Sequence, residues 1–400
     1  MGIFSGKEVV VGVTGGIAAY KACEIVRELR KDSANVHVIL TASGAQFITP
    51  LTLQTLSRNP VVSDLFNLIS ESEIGHISLA QRAHLLLIAP ATANIIGKIR
   101  SGIADDMLST VVMATAAPVL VAPAMNTQMY ASAAVQENLS VLSARGFHFV
   151  EPDEGELACG TIGPGRLADV GKILEMARIL LSEKPLADKK VVVSAGPTAE
   201  HLDPVRFLTN RASGKMGYAM ARAARRLGAH VTLVSGPTSL PDPPFMTTVR
   251  VRSAEEMFSA VSRAAEDADA VVMCAAVADF KGKRTAPAKI KKESFDCRVE
   301  LSPTVDILES LGKKKGNRVL VGFAAETDDL ARNAREKMRR KNLDAIVAND
   351  VSRSDIGFES DDNEVRIFFP DGEVLELPLA TKDGIAVGVW RTLEGKLFRR

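Results

Sequence analysis

The sequence predicts an α/β protein made of two Rossmann-like units, on three observations. Short runs rich in Val, Ile and Leu alternate with longer amphipathic runs, the pattern of parallel strands joined by helices. Glycine-bearing turns follow several of the strand-like runs and open helical ones. At 400 residues the chain also exceeds what one hydrophobic core usually serves, so two or three domains are expected. With 46% hydrophobic and 24% charged residues it falls in the ordinary globular range. Lys and Arg number 49 against 48 Asp and Glu, a net charge of +1. No global field attracts nucleic acid or an anionic membrane, so anions must be held at local sites.

In the first half, strands are expected at 8–13, 35–40, 83–89, 118–122 and 147–150, with helices between them, giving a parallel sheet covered on both faces. The most apolar window, Thr110 to Met125, is broken by Pro118 and Pro123 and falls short of the roughly 20 residues a membrane helix needs. It reads as a buried helix followed by a buried strand, with no membrane partner. The polar stretch 181–190, with Pro185 and no periodicity, reads as a linker between domains at 1–184 and 188–400. Strands at 191–194, 229–235, 269–274, 318–324 and 343–348 repeat the first half's logic. Runs 365–369 and 373–377 around Pro370-Asp371-Gly372 predict a closing hairpin. Loops are expected at 236–245 and 280–293, long enough to act as lids.

Cys23, Cys159, Cys274 and Cys297 are widely spaced without a CxxC pair, which argues against a disulfide framework and against zinc. The start of the chain lacks the charged and apolar regions of a secretory signal, and Gly6 stands where myristoylation wants Ser or Thr. A cytoplasmic setting is expected.

Thr14-Gly15-Gly16-Ile17 lies between a strand and a helix, where backbone N–H groups and the helix dipole suit a phosphate. The GxGxxG spacing is absent, and the second strand ends in Thr41-Ala42-Ser43-Gly44 rather than in an acid for ribose hydroxyls. A mononucleotide therefore suits better than NAD, and a plain tight turn accounts for the same residues. Thr92, Asn94, Asp105 and Ser109 fall at strand ends or helix starts, where ligand contact and helix capping are both open. His76, among small and apolar neighbours, is a candidate base or a structural histidine. Asn126 follows a buried strand, where its amide suits a ligand, and its neighbours Met125 and Met129 suit a core equally well. Cys159 sits in the glycine-rich run 156–166, an unusual place for a core cysteine and a sensible one for a proton-donating thiol.

GGIAAYK, His76, PAMNTQM and ACGTIGPGRL, in this order, resemble the flavin-dependent cysteine decarboxylases, in particular the phosphopantothenoylcysteine decarboxylase domain of bifunctional coenzyme A biosynthesis proteins. Tyr130 stands where many relatives have Trp. The resemblance implies a flavodoxin-like flavoprotein domain. FMN would be held by Gly15, Gly16, Ile17, Thr41, Ser43, Thr92, Asn94 and Ser109, with Met125 at the substrate. It implies that His76 serves oxidation and decarboxylation, that Asn126 holds the substrate carboxylate, and that Cys159 is the acid of the reductive step. The chemistry needs the flavin because an α-amido carboxylate has no electron sink until the neighbouring thiol is oxidised to a thioaldehyde.

In the second half, Ser194-Ala195-Gly196-Pro197-Thr198 follows a strand, and Asn210 with Ser213-Gly214 precedes a helix, a second anion-binding N-terminus or simply a good cap. Asp279 follows the third strand, and Lys289, Lys291 and Lys292 crowd the next segment. A lysine run is usually a solvated face, yet with Asp279 beside it a triphosphate with magnesium becomes the better reading. Lys337 and Lys341 share one helix face, and Phe323 ends another strand.

SAGPT, TNRASGKMG, AAVADF, KIKK, GFAAET and AND together resemble the phosphopantothenate-cysteine ligase domain over nearly all of 188–400, implying a Rossmann-like ligase. The resemblance implies CTP as co-substrate and Mg2+ with Asp279 as its protein ligand. Asn210 and Arg206 would lie near an acyl-cytidylate, with Lys289, also catalytic, and Asp279, Phe323, Lys337 and Lys341 around CTP. Pro303, Thr304, Val305 and Asp306 would form a further nucleotide contact. The expected partners are phosphopantothenate, cysteine and CTP, with no nucleic acid. A homo-oligomer is expected, trimers of the first domain joined by dimers of the second. A nicotinamide dehydrogenase is disfavoured by the missing GxGxxG, and a non-catalytic flavin-binding regulator by His76, Asn126 and Cys159 occurring together. One half being catalytically inert stays open.

Overall fold

The computed structural model describes residues 2–65, 75–158, 160–291, 298–326, 330–350 and 360–398. The chain divides into two compact units, Met1–Ser182 and Glu183–Arg400.

The first unit runs β1 (Glu8–Val13), α1 (Lys21–Lys31), β2 (Asn35–Leu40), α2 (Pro50–Ser57), β3 (Val61–Val62), α3 (Gly75–Arg82), β4 (Leu85–Ala91) and α4 (Ala93–Ser101). It continues with α5 (Met107–Ala114), β5 (Val119–Pro123), α6 (Thr127–Ala131), α7 (Ala133–Ala144), β6 (His148–Phe149), β7 (Asp153–Glu156), β8 (Ile162–Arg166) and α8 (Val170–Leu181). The main sheet has the order β3-β2-β1-β4-β5-β6, and its strands are parallel. Setting aside the two-residue edge strand β3, the order reads 2-1-3-4-5, the flavodoxin-like arrangement expected. β4 and β5 are buried along their whole length, as strands covered on both faces must be. The expected helix and strand within Thr110 to Met125 are α5 and β5, and among the described residues no helix is long and apolar enough to cross a membrane.

The ends of the glycine-rich run 156–166 are strand. β7 and β8 pair antiparallel into a ribbon. The cause is backbone conformation, since Gly155, Gly163 and Gly165 all have positive φ, which hides the ribbon from an alternating side-chain pattern.

The second unit runs β9 (Lys190–Ala195), β10 (Ala199–His201), β11 (Phe207–Thr209), α9 (Lys215–Arg226), β12 (His230–Ser235), β13 (Thr247–Arg250), α10 (Ala254–Ala265), β14 (Ala270–Met273) and β15 (Phe280–Gly282). There follow β16 (Leu301–Pro303), α11 (Ile307–Lys313), β17 (Val319–Glu326), α12 (Leu330–Arg340), β18 (Ala345–Asp350), β19 (Asp362–Phe368), β20 (Val374–Thr381) and α13 (Lys382–Leu393). Its sheet has the order β13-β12-β9-β14-β17-β18-β19-β20. β13 to β18 are parallel, and the β19–β20 hairpin, expected from its turn residues, adds an antiparallel edge. Trp390 of α13 is fully buried, and its Nε1 donates to the Met220 carbonyl of α9 at 2.9 Å.

The stretch 181–190 is less free than its composition predicts. Leu186 is fully buried in the second unit's core, its N–H donates to Leu227 O at 3.0 Å, and Lys184 Nζ donates to Arg226 O at 2.8 Å. One apolar residue between polar ones suffices to dock the segment onto the end of α9.

Candidate active sites

In the first unit a cavity of about 840 Å³ opens at the carboxyl ends of β1, β2, β4 and β5, which includes the switch point between β1 and β4 where ligands bind in open α/β sheets. Thr14, 2% exposed, holds its walls together. Its hydroxyl donates to Pro90 O at 2.7 Å and accepts from Thr92 N at 3.2 Å, tying the loop after β1 to the one after β4. Thr92 caps α4. Asn126 caps α6, its Oδ1 accepting from Gln128 N at 2.8 Å. β8 crosses this loop closely: Met125 N donates to Gly165 O at 2.9 Å, and a Cβ at Gly165 would lie 2.3 Å from Met125 O. Tyr130, in the position singled out as Trp in many relatives, donates to Glu151 at 2.5 Å. Burial and then that carboxylate push its phenol pKa upward.

Of the residues expected here, Gly15, Gly16, Ile17, Thr41, Ser43, Thr92, Asn94, Met125 and Asn126 line the one cavity. Ser109 does not line it. Its side chain is buried in the capping box of α5, where Asp106 rather than Asp105 is the cap. Ser109 Oγ accepts from Asp106 N at 3.1 Å, and Asp106 Oδ1 accepts from Ser109 N at 2.8 Å. Asn94 is a residue of α4 rather than its cap. His76, half-buried on α3, is not among the lining residues either. Cys159 lies outside the described residues; Glu156, Leu157 and Ala158 before it line the cavity. Lys98, which sequence reasoning missed, and Asp106, inside the run 104–109 that opens a helix, also line it. Lys98 Nζ reaches Asp105 at 2.7 Å and Asp106 at 3.0 Å. Burial would raise the Asp106 pKa, but the Ser109 amide and Lys98 hold it below the usual range.

In the second unit a cavity of about 560 Å³ opens beside β14, β17 and the start of α9. Gly214 caps α9 with φ +82°, a left-handed conformation that glycine adopts without strain. Asp279, Pro303, Thr304, Val305, Asp306, Phe323, Lys337 and Lys341 all line this cavity. Thr304 is fixed by its N–H to Asp279 O at 2.9 Å and its hydroxyl to Ala278 O at 2.5 Å. Lys341, 9% exposed, reaches Asp306, and Lys337 Nζ donates to Phe323 O at 3.4 Å. Asp279 is exposed, and among the described residues no group of three or more His, Cys, Asp or Glu could hold a metal ion.

Asn210, Arg206 and Lys289 are not among the residues lining this cavity. Asn210 Nδ2 donates to Ala276 O at 2.9 Å, on a residue that does line it. Arg206 is drawn away by Asp203, at 2.7 Å, and Lys289 is exposed. Lys292 of the KIKK run and Thr327 of the GFAAET run lie outside the described residues. Two further lysines line the cavity, Lys215 and Lys382. Lys215 Nζ pairs with Asp361 at 2.7 Å. Burial, and then the charge of Lys215, lowers the Lys382 pKa. Lys215 stands inside a run already singled out, whereas Lys382 has no local signal, since the fold brings it from the far end of the chain.

Residues 4–181 match the Flavoprotein family model, and residues 186–396 match that of the DNA/pantothenate metabolism flavoprotein C-terminal domain. The class is therefore a two-domain flavoprotein of pantothenate metabolism. The chain belongs to the family of bifunctional coenzyme A biosynthesis proteins. It is 49% identical to the coenzyme A biosynthesis bifunctional protein CoaBC of Bacillus subtilis, over 95% of this chain and 95% of that one. It is 47% identical to the protein so named in Escherichia coli, over 95% and 94% respectively. A solved structure of the C-terminal domain of a CoaBC protein is 43% identical, covers 55% of this chain and 100% of its own, and superposes with a TM-score of 0.48.

Proposed function

We propose that this chain carries out two consecutive steps of coenzyme A biosynthesis: CTP-dependent joining of phosphopantothenate to cysteine in the second unit, then FMN-dependent decarboxylation of the product in the first. One observation supports this above others. Each unit has its own cavity at the carboxyl end of a parallel sheet, the first lined by Gly15, Gly16, Thr41, Thr92 and Asn126 and the second by Asp279, Asp306, Phe323, Lys337 and Lys341, among the residues each resemblance implicates.

In the ligase unit the phosphopantothenate carboxylate attacks the α-phosphate of CTP, pyrophosphate leaves, and cysteine's amine displaces CMP from the acyl-cytidylate. The transition state carries high negative charge, which fixed cations stabilise. Lys337 and Lys341 lie within the cavity to do this, joined by Lys215 and Lys382. Asp279, exposed at the cavity, is the protein carboxylate that would help hold a magnesium ion brought by the nucleotide, which would supply neutralising charge to the phosphates. Asn210 and Lys289 act on the acyl-cytidylate and CTP respectively.

In the decarboxylase unit the cavity fits a flavin mononucleotide in size and character. Gly15, Gly16 and Ser43 suit the phosphate end, and Ile17, 63% exposed, and Met129, 49% exposed, offer apolar surface for a ring system. When bound, the flavin supplies the two-electron redox chemistry that makes the substrate's carbon an electron sink. Asn126 orients the substrate carboxylate so that carbon dioxide departs in line with that sink. His76 moves the proton of the oxidative step, and Cys159 returns one to the ene-thiolate.

By the resemblance, the site is completed by a neighbouring copy in trimers of the first unit, where His76 of α3 would serve. Val205, Phe207, Phe280 and Leu301 are 57%, 51%, 54% and 48% exposed on the small ribbons of the second unit, a surface suited to pairing with another copy.

The deciding assay supplies phosphopantothenate, cysteine and each nucleotide in turn, and follows pyrophosphate and carbon dioxide separately. Both are expected with CTP. Pyrophosphate without carbon dioxide would retain the ligase and remove the decarboxylase.

A further inference from the structure

Asp203 has no exposed surface, yet its carboxyl stays ionised. Burial would raise its pKa; the amides of Val205, Arg206 and Ile290, with the Arg206 guanidinium, hold it down at about 2. A buried charge is costly unless its contacts are well made, so where those contacts go is informative. Oδ1 serves its own turn, accepting from Val205 N and Arg206 N, both at 2.7 Å. Oδ2 faces another segment. It accepts from Arg206 Nε at 3.0 Å and Nη2 at 2.7 Å, and from Ile290 N at 3.2 Å. Arg206 Nη2 in turn donates to Ile290 O at 2.5 Å.

The residue after Lys289 is thus held at both its N–H and its C=O by one ion pair. Two more bonds stitch the same segment down upstream: Ala286 N donates to Leu202 O at 2.9 Å, and Thr285 Oγ1 to His201 O at 3.2 Å. We propose that Asp203 is a positioning residue of the ligase reaction, which fixes Lys289 for the nucleotide through Arg206 and Ile290. This rests on the ligase reading above and deepens it, and it gives Arg206 a mechanical task through Ile290.

Asp203→Asn separates the two oxygens' tasks, because an amide offers one acceptor where the carboxylate offers two. In the full-length, flavin-loaded protein, ligation should lose about tenfold or more in kcat, the scale of a small misplacement of a catalytic group. Decarboxylation of supplied phosphopantothenoylcysteine should not change, and trypsin should cut after Lys289 faster than in the wild type. Combined with Lys289→Arg, Asp203→Asn should add less than twofold to the loss, since both act through the same side chain. Unchanged ligation, unchanged tryptic cutting at Lys289, or fully multiplicative losses would each overturn the proposal. Should Asp203→Asn fail to fold, Arg206→Lys serves, because one ammonium cannot span Asp203 and Ile290 as the guanidinium fork does; unaltered cutting at Lys289 there would equally overturn it. Failure of the ligase reading itself would appear as a wild-type protein that does not ligate, while the tryptic comparison still decides the latch.

Discussion

Lys341 Nζ reaches both carboxylate oxygens of Asp306, at 2.9 Å and 2.7 Å, within the cavity of the second unit. Asp306 also caps α11, accepting from Glu309 N at 3.0 Å. One carboxylate therefore fixes both a helix start and a cation in the cavity wall.

Replacing Lys341 by Gln removes the cation and leaves the cap. The KM for CTP should rise at least about tenfold, equivalent to roughly 1.4 kcal/mol, with decarboxylation unaltered. Steady-state kinetics of the two half-assays on one preparation check it.

The same pair sets an acid limit. Burial would raise the Asp306 pKa, but Lys341 and the Glu309 amide bring it below the ordinary value. A carboxyl lowered on folding contributes stability that is present above its unfolded pKa, about 3.9, and lost as the pH falls through its lowered folded value. In Asp306→Asn that contribution is gone, so the wild type's advantage in Tm should shrink as the pH is taken down from about 5 through that window. A constant difference in Tm across the window would refute this.

Lys289→Gln should abolish ligation and spare decarboxylation. Loss of both would indicate a folding defect rather than a missing catalytic cation.

Gly165→Ala should impair the first unit. At φ +136° with Met125 O 2.3 Å from the new Cβ, the ribbon cannot keep its place, and the strain is on the order of 1–3 kcal/mol. Reduced yellow colour in the purified protein and slower decarboxylation, with ligation retained, are the expected outcomes.

Cys159→Ser should release or retain an unsaturated ene-thiol in place of the saturated thiol product. Mass spectrometry distinguishes the two by two hydrogens, and normal product at a normal rate would remove Cys159 from the mechanism.

The parallel sheets were legible because buried strands such as β4 and β5 are unbroken apolar runs, and the intervening helices keep a period near 3.6. The glycine turn at Gly15 and Gly16 and the residues around Asn126 were legible too, since each directly follows a strand. What stayed hidden depends on three dimensions. The β7–β8 ribbon is formed by backbone that glycine alone permits easily, so it has no side-chain signature. Ser109 is a polar residue near a helix start, and sequence cannot tell a hydroxyl spent on a capping box from one offered to a ligand. Lys382 meets Lys215 only because α13 and α9 pack together, and Asp203 meets Ile290 across 87 residues.

Trp390 is the chain's only tryptophan, and its burial against α9 has a practical consequence. Its emission reports on the core of the second unit alone, while a flavin's visible band would report on the first. Denaturant titrations followed at both wavelengths can therefore resolve the unfolding of the two units within one intact chain, without labels or truncation.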